Sequence, residues 1–205
     1  MHLILPNSVF VHIPKTGGTW VRKALTAAQI PWSRTALLPH ADFSHLEPLV
    51  EGRFTFAFVR HPLSWYRSAW SYRMSNPERL GPASMAEFWS EDFDTFVTGC
   101  CSYRSGLLTE LFERFTGWPV KLDWTGHAER LADGLVEALT LAGESFDPAA
   151  IHGCPPANVS PSRFTESAVY CDQTRELLLR AEEGVISRYG YDALPGRLVA
   201  ADAVA

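Results

Sequence analysis

The sequence is short of the features that mark several large classes of protein. Its cysteines do not follow the spacing of metal ligands, and there are only four of them: Cys100, Cys101, Cys154 and Cys171. No apolar stretch reaches the length of a transmembrane helix, and the apolar first eleven residues lack a basic leader. We therefore expect a cytoplasmic protein with reduced thiols and without a membrane span.

Internal repeats and a strongly basic composition are also lacking. The net charge of −5 gives no reason to expect nucleic acid or an anionic membrane as a partner. The charge is unevenly spread, because residues 1–80 carry nine basic and four acidic side chains while the rest carry nine and nineteen. A basic N-terminal part in an acidic protein suggests that anions are bound there, although charges on solvated faces would give the same pattern.

What is present is the length and apolar content of one globular domain. The chain has 205 residues, of which 46% are hydrophobic. Two strand–loop–helix patterns follow one another: a strand at residues 8–13 with a helix from Thr19, and a strand at 53–59 with a helix from Pro62. They predict an α/β fold in which a central parallel sheet is flanked by helices, with a P-loop-like nucleotide-binding core. We expect one domain over 1–195 and a frayed tail over 196–205.

The rest of the chain predicts mainly helices. These are expected at residues 85–97, 105–115, 127–142 and 170–189, with a short strand at 120–124 and a loop at 153–162.

The turn between the first strand and its helix has the composition of an anion site. Gly17 and Gly18 allow a tight turn that brings backbone N–H groups towards an oxyanion, and the following helix start adds further N–H groups. Lys15 supplies a cation, and two hydroxyl groups are added by Thr16 and Thr19. The nucleoside-triphosphate motif G-x-x-x-x-G-K-[ST] is absent, because the lysine precedes the glycines.

Residues 10–21, FVHIPKTGGTWV, resemble the 5′-phosphosulfate loop of the sulfotransferases that use 3′-phosphoadenosine-5′-phosphosulfate (PAPS). The resemblance is to carbohydrate sulfotransferases, including the heparan-sulfate 6-O-sulfotransferases, and, through Trp20, to the cytosolic sulfotransferases. It implies that PAPS is the sulfuryl donor and that residues 15–20 contact it. Lys15 is then also catalytic, since it would stabilise charge on the leaving phosphate.

A second motif lies at residues 58–70, FVRHPLSWYRSAW. Arg60 ends the second strand, where ligands bind in open α/β sheets, and its guanidinium can hold a phosphate through two hydrogen bonds. Ser68 lies about two turns into the next helix. The spacing resembles the family's 3′-phosphate site, which implies that Arg60 and Ser68 bind that phosphate.

Residues 38–46, LPHADFSHL, are interpreted as a loop that carries the catalytic base. This segment resembles the His-Ala-Asp-Trp stretch of the glucosaminyl 6-O-sulfotransferases, whose histidine acts as general base, and the resemblance assigns that role to His40. Histidine titrates close to neutral pH, as such a base requires. His45, Glu47 and Glu51 remain alternatives.

The resemblance extends more thinly along the chain. Residues 122–131 and 158–163 look like later segments of the family, and in relatives the second of them touches the nucleotide, which adds Ser162 and Arg163 as cofactor-binding candidates. No metal is expected, because lysine, arginine and backbone dipoles meet the donor's charge. The acceptor is predicted to be a hydroxyl or an amine of a small molecule or a glycan, with a carbohydrate favoured. The alternatives are a non-catalytic nucleotide-binding relative and a P-loop kinase.

Overall fold

The computed structural model describes residues 2–35, 43–78, 83–117, 121–157 and 162–193. In chain order its strands and α-helices are β1 (Leu3–Ile4), β2 (Ser8–Phe10), α1 (Gly18–Ala27), β3 (Ser33–Arg34), α2 (Phe43–Val50), β4 (Phe54–Val59), α3 (Pro62–Ser75), α4 (Phe93–Tyr103), α5 (Leu107–Thr116), β5 (Trp124–His127), α6 (Leu131–Leu141), α7 (Pro148–His152), α8 (Ser162–Ser167), α9 (Asp172–Ala181) and α10 (Glu183–Arg188). Short 3₁₀ helices cover Ala83–Phe88, Ala128–Arg130 and Tyr191–Ala193.

The fold is α/β, with an open five-stranded mixed sheet in the described part of the chain. The strand order is β3-β1-β2-β4-β5, in which β2, β4 and β5 are parallel and β1 is antiparallel to both of its neighbours. The prediction of a parallel sheet is therefore right for β2, β4 and β5 and wrong for β1, which pairs antiparallel with β2 and β3. Pro6 and Asn7 turn the apolar N-terminal residues back along β2, and the amide of Leu5 donates to the carbonyl of Ser8 at 2.8 Å.

The described residues group into two compact units, one within Met1–Arg60 and Phe112–Asn158 and the other within His61–Leu111 and Val159–Ala205. The first unit contains the sheet. Its core packs one face of β2 and β4 against α1, α6 and α7 through Phe10, Phe56, Phe58, Leu135 and Ile151, all at most 1% exposed. Helix α1 buries an apolar stripe that includes Val21, Ala24 and Leu25.

The second unit is helical in its described part, and its core is aromatic. Trp65, Tyr66 and Trp70 of α3 are buried with Phe93 and Phe96 of α4. Helix α3 begins at Pro62, as predicted. His61 caps it, because its Nδ1 accepts the amide of Leu63 at 3.2 Å.

Several predicted elements have different bounds. The helix predicted at 85–97 is a 3₁₀ helix followed by α4, whose start is set by the carboxylate of Asp92, which accepts the amide of Thr95 at 2.8 Å. The strand predicted at 120–124 lies at 124–127, so the next helix starts at Leu131 rather than at 127. The helix predicted at 170–189 is broken at Glu182.

Three of the described α-helices were not predicted at all. These are α2, which occupies part of the loop expected at 38–46, α7 and α8. The helix predicted at 105–115 is confirmed as α5. One domain over 1–195 and the P-loop-like core stay predictions, and the tail over 196–205 lies outside the described residues.

Candidate anion-binding site

The predicted anion loop connects β2 to α1 in the first unit. Two of its residues have positive φ angles, Lys15 at 67° and Gly17 at 89°, and Gly17 caps the helix without a side chain. The first amides of a helix have no partner within the helix and carry partial positive charge. Alternation of left-handed residues with ordinary ones curls backbone amides into a concave surface that suits an anion.

The two glycines have separate reasons to be glycine. A Cβ on Gly17 would lie 2.4 Å from Cδ1 of Leu131, in addition to the strain of its positive φ. Gly18 is absent from the residues with positive φ, but a Cβ there would lie 2.0 Å from Cδ2 of His12. Gly17 therefore provides the tight turn expected from the sequence, whereas Gly18 is required by close packing.

The two threonines of the loop are placed differently. Thr16 is fully buried, and its hydroxyl donates to the carbonyl of Ile13 at 2.9 Å. That bond uses the Thr16 hydroxyl to close the loop itself. Thr19, in the first turn of α1, is half-buried. Both remain predictions as donor-binding residues.

The structure brings Lys15 and Arg60 close to each other. They follow β2 and β4, which are adjacent parallel strands, and Nη1 of Arg60 lies 3.4 Å from the carbonyl oxygen of Lys15. Burial, reinforced by the positive charge of Arg60, lowers the pKa of Lys15 from 10.5 to about 7. The positive charges of Lys15 and Arg60 repel each other, and an anion bound near both would relieve the repulsion.

Trp20 belongs to the core of the first unit. It is 8% exposed, and its indole N–H donates to the carbonyl of Cys154 at 3.3 Å. This bond ties α1 to the segment after α7. The contact with the donor that the resemblance implies for Trp20 remains a prediction.

The third parallel strand reaches the same edge of the sheet and was not recognised in the sequence as part of the site. The register pairs His127 of β5 with Val59 of β4, one residue before Arg60. Leu131, at the start of α6, then packs against Gly17. The sequence signal for this strand is the similarity of residues 122–131 to a later segment of the sulfotransferase family.

Ser68 lies in α3 of the second unit and is half-buried. The neighbouring arginines of that helix bind backbone carbonyls. Nε of Arg67 donates to the carbonyl of Ala168 at 3.0 Å, and Nη1 of Arg73 donates to that of Pro77 at 2.6 Å. The assignment of Ser68 to the 3′-phosphate stays a prediction.

The remaining predicted residues are only partly described. His40 lies outside the described residues, as do the side chains of Ser162 and Arg163 at the start of α8 and the side chain of Glu47. His45 is exposed on α2, with its Nδ1 3.4 Å from Oγ of Ser44, and Glu51 is exposed beyond the end of that helix.

None of the helices in the described ranges combines the length and the apolar character needed to cross a bilayer. Within the same ranges, His, Cys, Asp and Glu side chains nowhere gather in threes or more in a way that could hold a metal ion.

The chain matches no family model, and comparisons with curated proteins and with solved structures likewise give no match.

Proposed function

We propose that this protein is a sulfotransferase that takes a sulfuryl group from PAPS. The observation that carries the proposal is that Lys15 and Arg60 follow adjacent parallel strands. Nη1 of Arg60 lies 3.4 Å from the backbone carbonyl oxygen of Lys15. PAPS carries a phosphosulfate and a separate 3′-phosphate, so it needs two cationic groups. The order of lysine and glycines in the loop favours this donor over a nucleoside triphosphate.

The reaction exchanges one sulfur–oxygen bond for another. The acceptor oxygen attacks the sulfur in line, the bond from sulfur to the bridging oxygen breaks, and 3′-phosphoadenosine 5′-phosphate leaves with the bridging electrons. Lys15 and the amides at the start of α1 stabilise the charge that develops on the leaving phosphate. His40 takes the proton of the acceptor hydroxyl, in the role that the resemblance assigns to it.

The acceptor in this proposal is a hydroxyl of a carbohydrate. The support for it is the resemblance of residues 38–46 to the glucosaminyl 6-O-sulfotransferases. Within the proposal, Ser68 joins Arg60 on the 3′-phosphate, and Ser162 and Arg163 contact the nucleotide.

The test measures sulfate transfer from labelled PAPS to a panel of glycans, lipids and phenols, together with calorimetric binding of 3′-phosphoadenosine 5′-phosphate. Lys15→Ala and Arg60→Ala should each reduce transfer by about 100-fold or more, because each removes charge from the donor site. Lys23→Ala on the exposed face of α1 and Arg53→Ala before β4 are the matched controls, and both should behave as wild type.

Each alternative has its own outcome. Binding of ATP without binding of 3′-phosphoadenosine 5′-phosphate would replace the proposal with a kinase. Tight binding of the nucleotide with no transfer to any acceptor, and no effect of His40→Ala, would identify a non-catalytic relative. Undiminished transfer in Lys15→Ala or Arg60→Ala would refute the site.

A further inference from the structure

The side chain of His12 lies against the start of α1. A Cβ built on Gly18 would be 2.0 Å from Cδ2, 2.3 Å from Nε2 and 2.8 Å from Cγ of the imidazole. Such distances are far inside van der Waals contact, so the ring occupies the space that any larger residue at position 18 would need. The ring also packs on Phe10, with 6.0 Å between the ring centroids.

The backbone of His12 is itself held in place. Its amide donates to Nδ1 of His2 at 3.2 Å, and His2 is fully buried. The carbonyl of His2 in turn accepts the amide of Thr35 at 3.3 Å. His12 is therefore anchored from the neighbouring antiparallel strand, at the point where β2 gives way to the anion loop.

Gly18 is the first residue of α1, and its amide is among those that point from the helix start towards an anion. A ring that touches Gly18 on one side, while Leu131 closes on Gly17, leaves the turn little room to shift. The direction of the amides then depends on that packing rather than on the backbone freedom of two glycines.

We infer that His12 is a positioning residue of the anion site, which holds the Gly17–Gly18 turn in its binding conformation through the contact of its ring with Gly18. The inference rests on the proposed function, since it concerns the loop that would hold the 5′-phosphosulfate. It assigns to His12 a role in affinity for the anion that the loop motif alone does not reveal.

The experiment is a double-mutant cycle on calorimetric affinity for 3′-phosphoadenosine 5′-phosphate, with thermal unfolding of every variant measured alongside. Gly18→Ala should weaken binding by about 100-fold, because the methyl group must displace the ring and with it the turn. His12→Ala alone should weaken binding by about tenfold. His12→Ala/Gly18→Ala should bind more tightly than Gly18→Ala, because the methyl group then fills the vacated space.

Two more variants separate this role from a loss of folding. His12→Phe keeps a ring against Gly18 and should retain affinity within about threefold of wild type. Gly99→Ala on α4 is the matched control for the added methyl group, which there meets Cβ of Phe88 at an ordinary 3.4 Å.

Additive effects in the cycle, or wild-type affinity in Gly18→Ala or in His12→Ala, would overturn the inference while leaving the proposed function in place. The inference would also be overturned if the loss of affinity were proportional to the loss of thermal stability across the variants. Failure of the wild-type protein to bind the nucleotide would refute the proposed function and the inference together.

Discussion

Each compact unit contains an ionisable side chain that is at least partly withdrawn from water, and the neighbouring groups donate to the carboxylate of Glu182 but repel the charge of Lys15. Glu182 in the second unit is fully buried, and its carboxylate accepts four hydrogen bonds: from the hydroxyl of Tyr66 at 2.8 Å, the amides of Leu108 and Thr109 at 2.9 and 3.0 Å, and the hydroxyl of Thr109 at 3.0 Å. Lys15 in the first unit lies beside Arg60, a second cation.

From this difference we interpret Glu182 as a structural charge and propose Lys15 as a binding charge. The donors around Glu182 come from this chain, and two of them are amides in the first turn of α5, where a negative charge is favoured. Burial nevertheless raises its pKa, so the desolvation is only partly offset. Arg60 increases the positive electrostatic potential around Lys15, and a bound anion would neutralise that potential. We expect changes at Glu182 to affect folding and changes at Lys15 to affect binding.

The largest expected effect is on folding, in Glu182→Ala. The change leaves buried donors of Tyr66, Leu108 and Thr109 without their acceptor, and we expect it to lower the free energy of unfolding by about 3 kcal/mol or more. Glu182→Gln keeps one acceptor oxygen and should cost less. Chemical denaturation measures both changes.

Glu176→Ala is the control for that prediction, because Glu176 lies on α9 in an exposed pair with Arg180. It should change stability very little. A stability of Glu182→Ala equal to that of Glu176→Ala would contradict the structural role of the buried carboxylate.

The second effect is on the pH dependence of binding, through Lys15. An anion beside the ammonium group raises its pKa, so binding near pH 8 should take up a proton, and affinity should fall by up to about tenfold per pH unit above pH 7. Calorimetry of 3′-phosphoadenosine 5′-phosphate in buffers of different ionisation enthalpy measures the uptake. Lys15→Met should abolish it, and proton uptake retained in that variant would assign the titration to another group.

The lowered pKa of Lys15 also makes the stability of the folded protein depend on pH. The unfolded chain keeps the Lys15 proton up to pH 10.5, whereas the folded chain releases it near pH 7, so the stability of the wild type relative to Lys15→Met should rise with pH between about 7 and 10.5. Thermal unfolding of the two proteins across that range is the measurement. A difference that stays constant with pH would show that the pKa of Lys15 is not lowered.

The smallest effect concerns the cap of α3. Burial and the charge of Arg175 lower the pKa of His61 to about 4, so the cap is neutral at pH 7. His61→Ala should cost about 1 kcal/mol at that pH, because it removes the acceptor of the Leu63 amide, and His61→Asn should restore most of it.

Because the unfolded imidazole binds a proton below pH 6.5, wild-type stability should fall as the pH drops from 6.5 to 4, more steeply than in His61→Asn. Parallel acid denaturation curves for the two proteins would contradict the lowered pKa.

Local sequence patterns predicted the elements that depend on neighbours along the chain. The buried strand β4 reads as a nearly continuous apolar run, α3 begins at the proline that favours a first helical position, and the stripe on α1 faces the core. The break at Glu182 could not be read in this way. The carboxylate of Glu182 accepts hydrogen bonds from residues more than seventy positions away in the sequence. Helical periodicity depends on neighbours three and four positions away, so it cannot predict such a contact.

The candidate site also has some features that local sequence predicts and others that depend on the tertiary structure. The residue types and spacing of the loop predicted a candidate anion site after the first parallel strand, because lysine, glycines and a helix start together present a cation and unpaired amides. Only the tertiary structure decided that Arg60 lies beside Lys15, that this proximity and burial lower the pKa of the lysine, and that Gly18 must be glycine because the ring of His12 occupies its side-chain space. These features depend on strands brought together by pairing, and distances between strands are set by the fold rather than by local sequence.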